Sequence, residues 1–108
     1  MKIYHNSRCG KSRQTLILLQ ERGENIEIIE YLKDKLSVIE LEEIIEILGI
    51  NPIDLVRKKE QIWIENYKNK DLSSKEIVKV MVENPKIIER PIIVKGKNAI
   101  IGRPPENV

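Results

Sequence analysis

The sequence predicts an α/β fold in a single domain spanning residues 1–108, a length that suits one compact domain. Two observations carry this prediction. Short apolar segments near both ends have the length of strands, whereas the middle has helical periodicity. The apolar residues are mainly Ile, Leu and Val, with no Phe and one Trp, which favours a mixed sheet covered by helices.

The first third of the chain has the pattern of a β-α-β unit. Residues 2–5 predict a strand, and residues 6–10 form a turn-like loop. A helical pattern follows from about Lys11 to Arg22 and stops at Gly23, and residues 26–31 predict a second strand. Such a unit places two parallel strands side by side.

The middle, about residues 36–84, predicts a helical insertion. Ser37 is a candidate N-cap with Glu40 at capping-box spacing, and Gly49 ends that helix. Its apolar stripe comprises Val38, Leu41, Ile44, Ile45 and Leu48. The other predicted helices are a short one after Pro52 that contains Leu55 and Arg57, a stretch over about 59–67, and one from Ser73 or Ser74 through Val82, stopped by Asn84-Pro85.

The last part predicts a β-hairpin. Residues 92–95 and 98–101 are strand-like and are separated by Gly96-Lys97, and a short tail follows. The whole order, β-α-β, helical insertion, β-β hairpin and short C-terminal tail, is a thioredoxin-like arrangement.

Charge and cysteine content limit the classes of function. Net charge is +2, from 19 basic and 17 acidic residues that alternate along the chain, which favours a solvated surface over a nucleic-acid patch. The single cysteine excludes a disulfide within the chain. No apolar run approaches a membrane span, and the start lacks the apolar region of a signal peptide. We therefore expect a cytoplasmic protein.

Cys9 is the residue most able to carry chemistry. It lies in a loop directly before a helix, where unpaired backbone N–H groups and the helix dipole favour an anion. Arg8, Lys11 and Arg13 add positive charge nearby, and such surroundings favour the nucleophilic thiolate. The alternative is a cysteine that acts only as a small buried hydrophobe.

Three further side chains could support Cys9. Ser12 and Arg13 follow it by three and four residues, so a helix returns both to its face. His5, the only histidine, could tune the thiolate or could be structural.

Two other interpretations of this loop fail, and a metal site has little support. Gly10-Lys11-Ser12 resembles the end of a P-loop, but the required earlier glycine would fall at His5. A cysteine-phosphatase loop needs an arginine six residues after the cysteine, where this chain has Thr15. Cys9 and His5 are too few ligands for a closed zinc site, so we expect no metal.

Three arginines far apart in sequence form a second group of candidates. Arg57 lies in the helical block, Arg90 precedes Pro91, and Arg103 precedes Pro104. A residue before proline is held in an extended conformation, and Pro91 at a strand entrance could be cis. Guanidinium groups bind tetrahedral oxyanions bidentately, although each arginine alone could serve only surface solubility.

Together these motifs resemble those of a known family. Residues 5–13 (HNSRCGKSR) resemble the H-x3-C-x3-R signature of the glutaredoxin-dependent arsenate reductases, the ArsC family of the ArsC/Spx-like thioredoxin-fold superfamily. Residues 89–94 (ERPIIV) and 101–106 (IGRPPE) are similar to its later motifs. The segment Leu55-Val56-Arg57-Lys58 and Pro85 fall in matching order, so the resemblance covers nearly the whole chain.

The resemblance implies a role for each candidate. Cys9 would be the catalytic nucleophile that attacks arsenate, supported as a thiolate by His5, Ser12 and Arg13. The oxyanion would be bound by Arg57, Arg90 and Arg103, and Pro91 would be the family's cis-proline.

The single cysteine also constrains the reductant. Reduction of As(V) to As(III) takes two electrons, which one thiol cannot supply by closing a disulfide, so a second thiol must come from outside. We expect glutathione as co-substrate with glutaredoxin as partner, no bound cofactor, no nucleic-acid or membrane partner, and a monomer.

Two alternatives use the same motifs. A non-enzymatic Spx-like transcription regulator shares the fold, but such regulators typically carry Cys-x-x-Cys, and here the fourth position is Ser12. A monothiol glutaredoxin-like iron–sulfur or redox protein would match Cys9-Gly10-Lys11-Ser12, although the helical block and the arginines do not suit it.

Overall fold

The computed structural model describes residues 1–102, so Arg103 lies outside the described residues. The chain divides into two compact units, one formed by residues 1–34 with those from Arg90 onward, the other by Lys35–Glu89. The expectation of one domain stays a prediction. None of the helices within residues 1–102 is long and apolar enough to cross a membrane.

The first unit contains a mixed four-stranded sheet. Its strands are β1 (Lys2–Tyr4), β2 (Glu27–Ile29), β3 (Ile92–Lys95) and β4 (Asn98–Ile101), in the order β2-β1-β3-β4. Strands β1 and β2 are parallel, whereas β3 is antiparallel to both β1 and β4. The predicted β-α-β unit and C-terminal hairpin are therefore confirmed.

Helix α1 (Gly10–Glu21) connects the two parallel strands. Its buried residues are Ser12, Thr15 and Leu19, of which Leu19 packs with Ile3 and Ile93 in an apolar cluster. The helix therefore presents one apolar and two hydroxyl side chains to the interior, and the hydroxyls lie near its Cys9 end.

Strand β2 is shorter than the predicted segment 26–31. Its register pairs Glu27, Ile28 and Ile29 with the three residues of β1. A strand can extend only as far as its partner, so this length is set by pairing rather than by local propensity. The ladder continues by one bond, because the His5 N–H donates to the Ile29 carbonyl at 2.8 Å.

The hairpin between β3 and β4 turns through Gly96 and Lys97. Lys95 pairs with Asn98, which leaves a two-residue loop, and Gly96 has a φ of +61°. A positive φ at the first central residue fits a type II′ turn, which favours glycine at that position. This turn returns the chain along β3 toward Gly102.

The second unit is helical. Its helices are α2 (Val38–Leu48), α3 (Gln61–Asn66) and α4 (Ser74–Glu83), with short 3₁₀ helices at Pro52–Leu55 and Pro85–Ile87. Helices α2 and α4 each begin at a complete capping box. Ser73, not Ser74, is the N-cap of α4 because its Oγ accepts from the Glu76 N–H at 3.2 Å. In the predicted stripe of α2, Val38 is instead exposed.

The prediction that Arg57 lies in the short helix after Pro52 is wrong. That helix ends at Leu55, and Val56 forms an isolated antiparallel bridge with Ile88. The Arg57 N–H donates to the Ile87 carbonyl at 2.7 Å, so Arg57 lies beside this bridge and not in the helix. The partner segment lies about thirty residues away along the chain, which explains why local periodicity did not indicate it.

Candidate active site

Cys9 is the N-cap residue of α1 and has extended backbone angles, with φ of −97° and ψ of 121°. Its N–H donates to the Asn6 carbonyl and its own carbonyl accepts from the Arg13 N–H, each at 3.0 Å. The loop is thus closed on one side and joined to the helix on the other. Only 8% of the residue is exposed, so the thiol lies at a largely dehydrated helix start.

The charges around this helix start favour an anion. The first turn of α1 carries no acidic residue and includes Lys11 and Arg13. The Arg13 Nη1 donates to the Ser7 carbonyl at 2.9 Å, which folds its guanidinium back toward the loop. The helix dipole and this guanidinium both stabilise negative charge near the start of the helix.

His5 and Ser12 lie together in the interior beside this loop. The His5 Nδ1 and the Ser12 Oγ are 2.6 Å apart, and the Ser12 Oγ also accepts from the Asn6 N–H at 3.1 Å. Ser12 is fully buried and His5 is 5% exposed. The pair therefore links the end of β1, the loop and the first turn of α1.

The pKa of His5 lies below its ordinary value of 6.5. Burial is the main cause, and the positive charge of Arg13 lowers it further, while Glu30 acts in the opposite direction. At neutral pH His5 is therefore uncharged, with one ring nitrogen able to donate and the other able to accept.

Arg90 is nine-tenths buried, and its Nε and Nη1 have no hydrogen-bond partner among residues 1–102. The peptide bond that joins it to Pro91 is cis, the isomer that the sequence analysis expected. A buried guanidinium with unpaired N–H groups is costly, because the charge has lost water without gaining an acceptor. Such a group is suited to bind an anion.

Gly102 is the last described residue before Arg103. Its N–H donates to the Pro91 carbonyl at 2.9 Å, and the Thr15 Oγ1 lies 3.3 Å from its carbonyl. A Cβ at this position would lie 3.0 to 3.2 Å from side-chain atoms of Thr15, Pro91 and Ile93. Glycine therefore allows the chain to pass close to the cis-proline.

Arg57 belongs to the helical unit and pairs there with two carboxylates. Its Nη1 lies 2.6 Å from the Glu60 Oε1, and its Nε lies 3.4 Å from the Glu89 Oε1. All three side chains are partly buried.

Sequence reasoning missed these carboxylates and the role of Thr15. Glu60 follows Arg57 by three residues, a spacing that could have indicated the pair. Glu89 begins the motif of residues 89–94, but no spacing signal joins it to Arg57. Thr15 has no signal in the sequence beyond excluding a phosphatase loop.

Comparison with known proteins identifies the family. The model of the ArsC family matches residues 4–108. The chain belongs to the ArsC family. An arsenate reductase of Haemophilus influenzae is 44% identical to it over 108 residues, which cover 98% of this chain and 93% of the relative. The uncharacterized protein YfgD of Escherichia coli K12 is 46% identical and covers 100% of this chain and 92% of its own length.

The three-dimensional structure is also similar to that of a known arsenate reductase. An arsenate reductase from Vibrio cholerae superposes with a TM-score of 0.93 at 43% identity, covering 100% of this chain and 95% of that one. The predicted thioredoxin-like α/β fold is thereby confirmed. Within this ArsC fold, the described candidates of the first unit are Cys9, His5, Ser12, Arg13 and Arg90, whereas Arg57 lies in the second unit.

Proposed function

We propose that this ArsC-family protein is an arsenate reductase in which the Cys9 thiolate attacks the arsenic atom. The observation that carries the proposal is the buried Arg90, whose Nε and Nη1 have no hydrogen-bond partner among residues 1–102. An oxyanion would supply the missing acceptors and the missing negative charge together. Bidentate binding of a tetrahedral oxyanion is the chemistry to which guanidinium is best suited.

The surroundings of Cys9 supply the nucleophile. The thiol is the N-cap of a twelve-residue helix whose first turn carries basic and no acidic residues. These surroundings favour the thiolate, which is the reactive form of cysteine. Ser12 lies one turn further along the same face, so its hydroxyl is suited to donate to the thiolate, with His5 and Arg13 in supporting roles.

Arg57 and Arg103 complete the proposed set of oxyanion-binding residues with Arg90. This assignment comes from the family resemblance, together with the chemistry of guanidinium. Arsenate carries between one and two negative charges at neutral pH, so several cationic donors are expected around it.

The electron balance requires a thiol from outside the chain. Cys9 forms a sulfur–arsenic bond and one oxygen of arsenate leaves as water. A thiolate from another molecule then attacks the Cys9 sulfur. The sulfur–arsenic bond breaks and leaves its electron pair on arsenic, so that As(V) leaves as As(III) and a mixed disulfide forms. Because the chain has one cysteine, at least one thiol comes from another molecule, and we propose glutathione with glutaredoxin in this role.

The names of the relatives support the same function. The Haemophilus influenzae protein and the Vibrio cholerae structure both bear the name arsenate reductase, and both cover nearly all of this chain. A glutathione-linked reductase needs a reduced thiol pool, so we further propose that the protein works in the cytoplasm. We propose that it acts as a monomer, because one chain supplies all the named residues.

A coupled assay tests this function. Arsenate-dependent oxidation of NADPH is measured with glutathione, glutaredoxin and glutathione reductase, and again with glutaredoxin omitted or replaced by a thioredoxin system. We expect turnover only with the complete glutathione system. Turnover with thioredoxin alone would contradict the proposed donor, and no turnover with either system would contradict the proposed reductase.

A further inference from the structure

Arg57 forms ion pairs with two carboxylates that have no role in the proposed reaction. Glu60 and Glu89 approach it on different nitrogens, at 2.6 Å from Nη1 and at 3.4 Å from Nε. We call these three residues the Arg57 clamp. All three belong to the helical unit.

The backbone holds two members of the Arg57 clamp. On either side of the bridge between Val56 and Ile88, the Arg57 N–H donates to the Ile87 carbonyl at 2.7 Å and the Glu89 N–H donates to the Leu55 carbonyl at 2.8 Å. Val56 and Ile88 are both buried. Arg57 and Glu89 therefore extend from two chain segments whose relative position is fixed.

The third member is held by a turn. The Glu60 N–H donates to the Arg57 carbonyl at 3.1 Å, and Glu60 is the N-cap of α3. The exposed fractions of the side chains are 22% for Arg57, 19% for Glu60 and 26% for Glu89, so each has lost most of its water. Ion pairs that are partly dehydrated and anchored by the backbone restrict a side chain more than exposed pairs do.

The two carboxylates leave one nitrogen of the guanidinium open. The closest contacts of the two carboxylates are to Nη1 and Nε of Arg57, so these contacts do not use the two N–H groups of Nη2. Arginine has several rotatable bonds, and binding normally has to restrict them at a cost in free energy. A guanidinium that is already held avoids much of this cost.

We propose that Glu60 and Glu89 are positioning residues that restrict the Arg57 side chain and leave its Nη2 available to bind the oxyanion. This inference rests on the proposed role of Arg57 in oxyanion binding. The opposite effect is also physically defined, because two carboxylates beside one guanidinium give a local charge of −1. If they acted mainly as competitors, their removal would strengthen oxyanion binding.

Positioning and competition change the KM for arsenate in opposite directions, so alanine and glutamine variants distinguish them. Glu60→Ala and Glu89→Ala each remove one carboxylate that restricts the Arg57 side chain. We expect the KM for arsenate to rise by about tenfold with kcat unchanged, which is the effect expected from losing one charge-assisted hydrogen bond. In Glu60→Gln the amide oxygen still accepts from Nη1, so the KM should lie between those of wild type and Glu60→Ala. The matched control is Glu65→Gln, which removes one exposed carboxylate from the same helix and should leave the KM unchanged.

A second readout does not depend on turnover. The Nε–Hε signal of Arg57 is followed by NMR during titration with arsenate, and Arg57→Lys identifies the signal. We expect saturation in wild type at a concentration about tenfold lower than in Glu60→Ala, in line with the kinetic effect. The backbone spectra of the variants establish that they are folded.

The outcomes distinguish this inference from the reductase itself. A KM that falls or stays constant in both alanine variants would overturn the positioning role while leaving the reductase intact. An Arg57 signal that does not respond to arsenate in wild type would also overturn it. Wild type that responds to arsenate but does not reduce it would contradict the proposed function and support the inference, provided the alanine variants bind more weakly.

Discussion

At the scale of single residues, Arg90 and His5 are two polar side chains that the fold buries. Both are nine-tenths buried or more. His5 has a hydrogen-bonded partner in Ser12, whereas two nitrogens of Arg90 have none among residues 1–102. Burial of an unpaired cation lowers stability, and an arriving anion removes that cost.

Arg90→Met distinguishes the effect of Arg90 on stability from its effect on arsenate binding. In buffer without oxyanions, we expect the free energy of unfolding to rise by about 1 kcal/mol, because an apolar side chain of similar length replaces a buried unpaired charge. Arsenate turnover should nevertheless be lost. Denaturant unfolding and the coupled assay measure the two quantities, and the exposed Lys86→Met serves as control. A large loss of stability in Arg90→Met would instead mean that the guanidinium is already well paired.

The lowered pKa of His5 predicts how stability depends on pH. Burial disfavours the charged form in the folded state, so the unfolded chain takes up a proton first as the pH falls below the ordinary value of 6.5. The free energy of unfolding should therefore decrease from neutral pH to about pH 5. In His5→Asn this decrease should be smaller when measured by denaturant unfolding at each pH. An equal decrease in both proteins would exclude His5 as its source.

At the scale of secondary-structure elements, the helix boundaries were predictable where the signals are local. Helix α2 begins after Ser37, which forms a capping box with Glu40, and ends at Gly49, as expected. All three signals lie within a short stretch of sequence. The length of β2 and the bridge at Val56, next to Arg57, were not predictable, because both depend on partners distant in sequence. For the same reason the sequence indicated Arg57 as a candidate but not its pairing with Glu89.

The N-cap of α4 provides a direct test at this scale. Ser73 accepts from the Glu76 N–H, and its own N–H donates to the Glu76 carboxylate, which lowers the pKa of Glu76. Ser73→Ala should lower the free energy of unfolding by about 1 kcal/mol. The matched control is Ser74→Ala at the first helical residue, which should be neutral or slightly stabilising. Equal effects of the two changes in denaturant unfolding would contradict the assignment of Ser73.

The close packing around Gly102, directly after β4, allows a second prediction about stability. Gly102→Ala would place a Cβ within 3.0 to 3.2 Å of three side chains around Pro91, and we expect a loss of about 1–3 kcal/mol in the free energy of unfolding. Gly10→Ala is the control, since among residues 1–102 its Cβ would meet only the end of the Arg13 side chain, at 3.8 Å. Thermal unfolding compares the two, and a fully stable Gly102→Ala protein would show that this packing can relax.

At the scale of the whole molecule, fold and family followed from the order of elements and motifs. The loop around Cys9 was predictable because its features are adjacent in sequence. The buried environment of Arg90 and the carboxylates around Arg57 were not, because they arise only when distant segments meet. These features support our proposal that Cys9 and a thiol from another molecule reduce arsenate.

The most direct test is the amount of arsenite formed from arsenate by the wild-type protein with glutathione and glutaredoxin, compared with Cys9→Ser. Both proteins must have the same circular dichroism spectrum, so that loss of folding is excluded. We predict stoichiometric formation of arsenite and oxidised glutathione by wild type and none above background by Cys9→Ser. Equal arsenite formation by the two proteins would contradict the central role of Cys9, and none by folded wild type would contradict the assignment of the reaction.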